Sequence, residues 1–189
     1  MRYRSAVLGV PVVMVAATWT IGQGGGAQPP ALSRAVEAVE QLDALRSGLA
    51  ATFGARGVPA DRETFQQVCR PVGLRAREIA EQNGWKVQQQ ALKNRNPGNA
   101  LDEPARRAYG LMEADPALNG LWSRSSLAGK AGIRYFRRIT VERACLACHG
   151  ARDTRPAFVQ EGYPDDRAFD FSVGDLRGVY SVFIPDSVD

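Results

Sequence analysis

Apolar residues recur at three- and four-residue steps between residues 31 and 54: Leu32, Val36, Val39, Leu42, Leu45 and Leu49. Glu37, Glu40 and Asp43 fall on other faces, so the spacing predicts a long amphipathic helix ended by Gly54 and Gly57. A second helix is predicted from Asp61, an N-cap residue type, with Glu63 and Thr64 in its first turn. It runs through Phe65, Val68 and Cys69 towards Ile79, and Asn83-Gly84 closes it. Pro71 lies inside this run and is expected to kink or divide it, because proline brings no N–H to the helix ladder.

After Gly84 the period changes. Trp85 to Leu92 reads as a strand, and NRNPGNALDEP (94–104) as turn chemistry, with a short helix from Asp102 to Glu113. Residues 121–140 read as two strands about a turn at Gly129–Gly132, the second being IRYFRRIT. Its Arg134, Arg137 and Arg138 read as a solvated strand face. GDLRGVYSVFIP alternates most clearly, with Leu176, Tyr180, Val182 and Ile184 on one face and Arg177, Val179, Ser181 and Phe183 on the other. The fold class is α+β, with the helices N-terminal to the strands.

The first 27 residues stand apart. Arg2 and Arg4 precede an uncharged apolar run from Ala6 to Thr18, and Gly25-Gly26-Ala27 supplies small residues for cleavage, so 1–27 reads as an export signal. The competing reading is an uncleaved membrane anchor, which needs ~20 apolar residues. The chain then divides into an N-terminal helix at 28–60 and one domain at 61–189, in the bacterial periplasm. Of 24 basic and 20 acidic residues the signal removes only Arg2 and Arg4, leaving +2. That balance excludes a nucleic-acid partner.

CLACHG (145–150) holds the chain's one histidine and two of its three cysteines. Cys145-Leu146-Ala147-Cys148-His149 has the spacing of c-type haem attachment, in which two thiols add across the porphyrin vinyls and the next imidazole reaches the iron. A thioredoxin-like CxxC needs a βαβ context, which the pattern lacks. A zinc site from Cys69, Cys145, Cys148 and His149 would need adjacent residues 148 and 149 to share a tetrahedral centre. A Cys145–Cys148 disulfide would be strained by its two-residue loop. One covalent haem c per chain is the expectation. No methionine follows His149 and there is no second histidine, so the iron's sixth position is left to Cys69, Met112, one of Lys86, Lys93 and Lys130, a tyrosine, or an exogenous ligand. Cys69, four residues after Phe65, should face inward, as ligand or as a small core residue.

VCRPV around Cys69, RNPGNA (95–100), RYFRRI before CLACHG, and YPDD…VGDLRGVYSVFIP (163–185) occur in an order that resembles the Tll-type haem proteins. These are small periplasmic c-type-haem domains with a PAS-like fold, and the resemblance covers roughly 61–187. It implies a PAS-like antiparallel sheet behind N-terminal helices, and iron held by His149 and Cys69. Arg95 and Arg177, in the best-matched motifs, are candidate partners for haem propionates, since a guanidinium fork matches a carboxylate; each could equally brace a turn. The chain departs from the family where Gln89-Gln90-Ala91 replaces a basic residue and a hydroxyl pair. Pro104-Ala105 replaces Trp-Glu, and Phe169-Asp170 a Thr-Gly turn. The expected function is a non-enzymatic redox or diatomic-gas sensor with an unidentified protein partner, the alternative being a monohaem electron carrier.

Overall fold

The computed structural model describes residues 30–186; the export-signal reading lies outside them. Helices α1 (Ala31–Arg56) and α2 (Arg62–Asn83) come first, then strand β1 (Lys86–Gln90) and helix α3 (Glu103–Ala114). Strands β2 (Gly120–Leu127) and β3 (Lys130–Thr140), short helices α4 (Leu146–His149) and α5 (Ala157–Gly162), and strand β4 (Leu176–Pro185) complete the fold. The strands form one antiparallel sheet in the order β1-β4-β3-β2. This is the α+β, PAS-like frame with N-terminal helices expected from the sequence.

Local chemistry explains the boundaries. Asp61 accepts the Thr64 N–H at 2.7 Å and Thr64 accepts the Asp61 N–H at 3.2 Å, a capping box that starts α2. Gly84, at φ 68°, ends it in the left-handed conformation. Pro71 does not divide the helix, which continues to Asn83; the cost is that the Gln67 carbonyl loses its ladder donor. Ala128 and Gly129, at φ 51° and 81°, make the two-residue turn joining β2 to β3.

Two cores flank the sheet. On one face Ala35, Val39, Leu42, Val72, Ile79 and Trp85 pack against Tyr135, Ile139, Tyr180, Val182 and Ile184. On the other, Ala105, Ala108, Tyr109 and Met112 of α3 pack against Phe136, Leu176 and Val179. Three readings are corrected here. Asp43 is buried, not on an outer face, because Arg46 and Arg137 both pair with it, at 2.8 and 2.7 Å. Arg134, Arg137 and Arg138 are not a solvated face. Arg134 is 2% exposed and bonded to Asp102, Gln90 and Ser181, while Arg138 donates to the Met112, Asp115 and Leu118 carbonyls at the end of α3. Met112 lies in the last turn of α3, whose carbonyls have no donor within the helix, and Asp115 and Leu118 follow its end.

The third correction is Leu176. Ile139 pairs with Gly178 but Thr140 pairs with Leu176, so Arg177 is an extra residue, a bulge in β4. The bulge breaks the alternation. Leu176 packs with Val179 beneath α3, not with Tyr180, and Arg177 turns to the α2 side.

Candidate functional site

After β3 the chain makes a single 3-10 turn (Arg143–Cys145) and enters α4, so Cys145, Cys148 and His149 lie on successive positions of one helical turn. Gly150 closes it tightly; a Cβ there would meet the Leu146 carbonyl oxygen at 2.7 Å. The motif is then pinned to a second segment: Phe171 N–H donates to the His149 carbonyl at 3.1 Å and Asp170 N–H to the Gly150 carbonyl at 2.7 Å. Asp170 sits at φ 56°, a conformation aspartate tolerates better than most residues. Its carboxylate also accepts the Arg152 N–H at 3.2 Å.

His149 is fixed in one tautomer. Its Nδ1 lies 2.7 Å from the Ala168 carbonyl, which can only accept, so Nδ1 carries the proton and Nε2 keeps its lone pair. Arg95 Nη2, 3.3 Å from the same nitrogen, is therefore a cationic neighbour, and its hydrogen bond goes to the Cys148 carbonyl at 2.8 Å. Burial, then the charges of Arg177 and Arg95, lowers the imidazole pKa to about 3, so the ring is neutral and ready to ligate. Behind it Asp166, with a fully buried side chain, accepts the Ala168 N–H at 2.9 Å and pairs with Arg155 at 2.6 Å and Arg95 at 3.4 Å. The Arg95 contact is an ion pair without a hydrogen bond, as its Nε has no hydrogen-bond partner.

A cavity of about 190 Å³ opens in front of the histidine. Cys145, Cys148, Cys69, Arg95, Arg177 and His149 all line it, so the haem-attachment motif, the third cysteine and the two candidate propionate partners meet in one place. Cys69 comes from a separate wall, α2, beside Phe65 and Val68. Its residue surface is exposed, yet the thiol sits among enough protein for burial to raise its pKa; both hold because the exposed surface faces the cavity. Burial pushes the Cys148 thiol up to about 11, with Cys69 and Cys145 adding to the rise and Arg95 opposing it. All three cysteines are free thiols.

Of the side chains left open for the sixth position, Cys69 alone is at the cavity. No lysine or tyrosine among the described residues lines it, and Met112 is fully buried beneath α3 across the sheet. Among the described residues no three His, Cys, Asp or Glu side chains converge as a metal ion requires, so the zinc alternative has no site.

The walls are apolar (Phe53, Phe65, Val68, Val72 and Ile139) with three guanidinium groups, those of Arg46, Arg95 and Arg177. Arg95 is braced by Asp166 and by the Tyr163 ring, 5.7 Å away. Arg177 donates to the Lys93 carbonyl at 3.0 Å and lies over Phe171 at 5.3 Å, but pairs with no carboxylate among the described residues. Burial and the nearby Arg95 lower its pKa to about 10. An apolar cleft holding a cation without an anion fits a flat apolar group with acidic arms. Gln89, Gln90 and Ala91, where the family differs, also line the cleft.

Sequence reasoning missed Asp166, the Ala168 carbonyl and Arg46. Arg46 could have been found: it continues the buried stripe Val39, Leu42, Ala50, Phe53, and a cation on an apolar stripe has a partner or a task. Asp166 carried no such signal.

No curated protein sequence matches the chain. Among solved structures, the crystal structure of the cyanobacterial heme-protein Tll0287 matches with TM-score 0.75 and 47% identity, covering 86% of this chain and 99% of that one. The model of the Tll0287-like family matches residues 24–185, and on that extent the chain belongs to the Tll0287-like family.

Proposed function

We propose that the chain carries one haem c, attached through Cys145 and Cys148, with His149 and Cys69 as iron ligands, and serves as a periplasmic redox or diatomic-gas sensor. The observation carrying this reading is the histidine locked with Nε2 unprotonated at a cavity that a third thiol, on another wall, also lines. That the structurally similar cyanobacterial protein is a heme-protein supports the choice of cofactor. Haem supplies redox and gas-binding chemistry when bound; the chain supplies ligands, charge and an apolar enclosure. Arg177, without a carboxylate partner among the described residues, is the residue for a propionate, and Arg95 the second.

With haem bound, a Cys69 thiolate would favour ferric iron, because the anion stabilises the extra positive charge, and Cys69 would be the residue whose hold on the group weakens in the ferrous state. One feature favours a sensor over a carrier: Cys69 comes from α2, a wall separate from the segment that carries His149, so that wall can respond when the ligand changes. A carrier gains from ligands that stay put. The sensor reading needs a protein partner to receive the signal. No enzymatic role is proposed, since the chain has no histidine besides His149 to act as a distal acid or base.

Absorption spectra of ferric and ferrous protein, with and without CO, test the reading. Sensor behaviour is a ligand change on reduction and CO binding to the ferrous form; the electron-carrier alternative keeps both ligands in each state. Cys69→Ala should convert the ferric spectrum from low to high spin, and an unchanged spectrum would remove Cys69 from the iron.

A further inference from the structure

Arg46, on α1, lines the cavity at the Cys145 side, and each of its guanidinium nitrogens is engaged. Nε donates to Asp43 at 2.8 Å, Nη2 to Glu142 at 2.9 Å and to the Ser47 hydroxyl at 3.1 Å, and Nη1 lies 3.9 Å from the Cys145 sulfur. Ser47 also donates to Glu142, at 2.5 Å, so the residue three before Cys145 is tied twice to α1. Ala144 closes the same joint: a Cβ at Gly54 of α1 would meet the Ala144 Cβ at 3.2 Å, and glycine there keeps that approach open. Asp43 is held in turn by Arg137, which grips Glu40 through two bonds of 3.0 Å. Burial works against the Arg46 charge, but the bond and charge of Asp43, with smaller contributions from Tyr180 and Glu142, hold its pKa above the ordinary arginine value.

Resting on the haem reading above, we infer that Arg46 is a positioning residue: it holds the first thiol of CxxCH against α1 and places a fixed positive charge at that edge of the cofactor. Net charge near a haem helps set its reduction potential. A cation at the Cys145 edge favours the ferrous state and offsets part of the preference that a thiolate ligand gives to the ferric one. Asp43 binds Nε and Glu142 binds Nη2, so Nη1, the nitrogen nearest the Cys145 sulfur, is the one without a carboxylate partner among the described residues.

Potentiometric titration of the haem-loaded full chain tests this. Arg46→Gln should lower the midpoint potential, and Arg46→Lys, which keeps the charge, should restore it towards wild type. Glu142→Gln should shift it the opposite way, upwards, and provides the reading if Arg46→Gln does not load haem. Arg75→Gln, whose partner Glu78 lies at 3.0 Å on the exposed part of α2, is the control and should leave the potential where it was. A wild-type potential in Arg46→Gln, a Lys variant that moves as far as Gln, or an unmoved Glu142→Gln overturns the inference. Protein that matures colourless overturns the haem reading itself, and a loaded haem with unmoved potentials overturns only the role of Arg46.

Discussion

The two walls that hold the candidate iron ligands are built differently. His149 is set by its ring bond to Ala168, by two backbone bonds to residues 170 and 171, and by a fully buried Asp166 behind. Cys69 sits on the first half of α2, where nothing from Asp61 to Pro71 is buried; Val72 and Ile79, the helix's buried residues, both follow the proline. Among the contacts of that half are Phe65 against Phe158, at 6.2 Å, and Gln67 accepting from Arg56 at 2.8 Å. Pro71 withdraws one ladder bond where the anchored and unanchored halves meet. One ligand is framed by the fold and the other hangs from it, so a change at the cavity has an obvious direction in which to move the protein.

The largest test of this contrast is Asp166→Ala. It strips two arginines of a buried partner and should cost about 3–5 kcal/mol in urea unfolding, whereas Gln67→Ala on the other wall should cost no more than ~0.5 kcal/mol. Equal losses would erase the difference between the walls. Next, Pro71→Ala should raise stability by about 2 kcal/mol, since an interior proline is worth less than alanine by roughly that much or more. Its gain should come with slower amide exchange at residues 62–70; a lower melting temperature would mean the proline steadies the wall.

A pH series probes the firm wall alone. The unfolded chain protonates His149 near its ordinary 6.5, but the folded protein resists until about 3. Stability contributed by the neutral ring is therefore complete above pH 6.5 and falls as pH drops below it, by about 1.4 kcal/mol per unit. Haem-free protein unfolded at pH 7, 6 and 5 should show that slope, and His149→Gln should lack it. A smaller effect is expected from Phe65→Ala, which removes the contact of the loose wall with Phe158 and should cost about 1 kcal/mol. A loss several times larger would show that this wall is anchored after all.

Much of the frame was legible because periodicity is a local property. Helix ends at Asp61 and Gly84 and the strand at 176–185 follow from residue types within a few positions. What failed needed knowledge of another segment. Arg134 and Arg138 look like surface charge until Asp102 and the end of α3 fold over them. Asp43 looks solvated until Arg137 arrives from ninety-odd residues away. The site divides the same way: CxxCH suggests its chemistry by spacing, and Cys69 stood among several open candidates until the family resemblance pointed to it, but the carbonyl that selects the imidazole tautomer belongs to an alanine. No side-chain pattern reports a backbone oxygen.

The irregularity at Arg177 has a use beyond its place in the sheet. With one surplus residue, β4 runs out of phase with itself, so its upstream end can be read as a site and its downstream end as core without either dictating the other. Anyone transplanting this cleft onto a different scaffold must carry the miscount along with the arginine; a tidy, regular strand would deliver the guanidinium to the wrong side of the sheet.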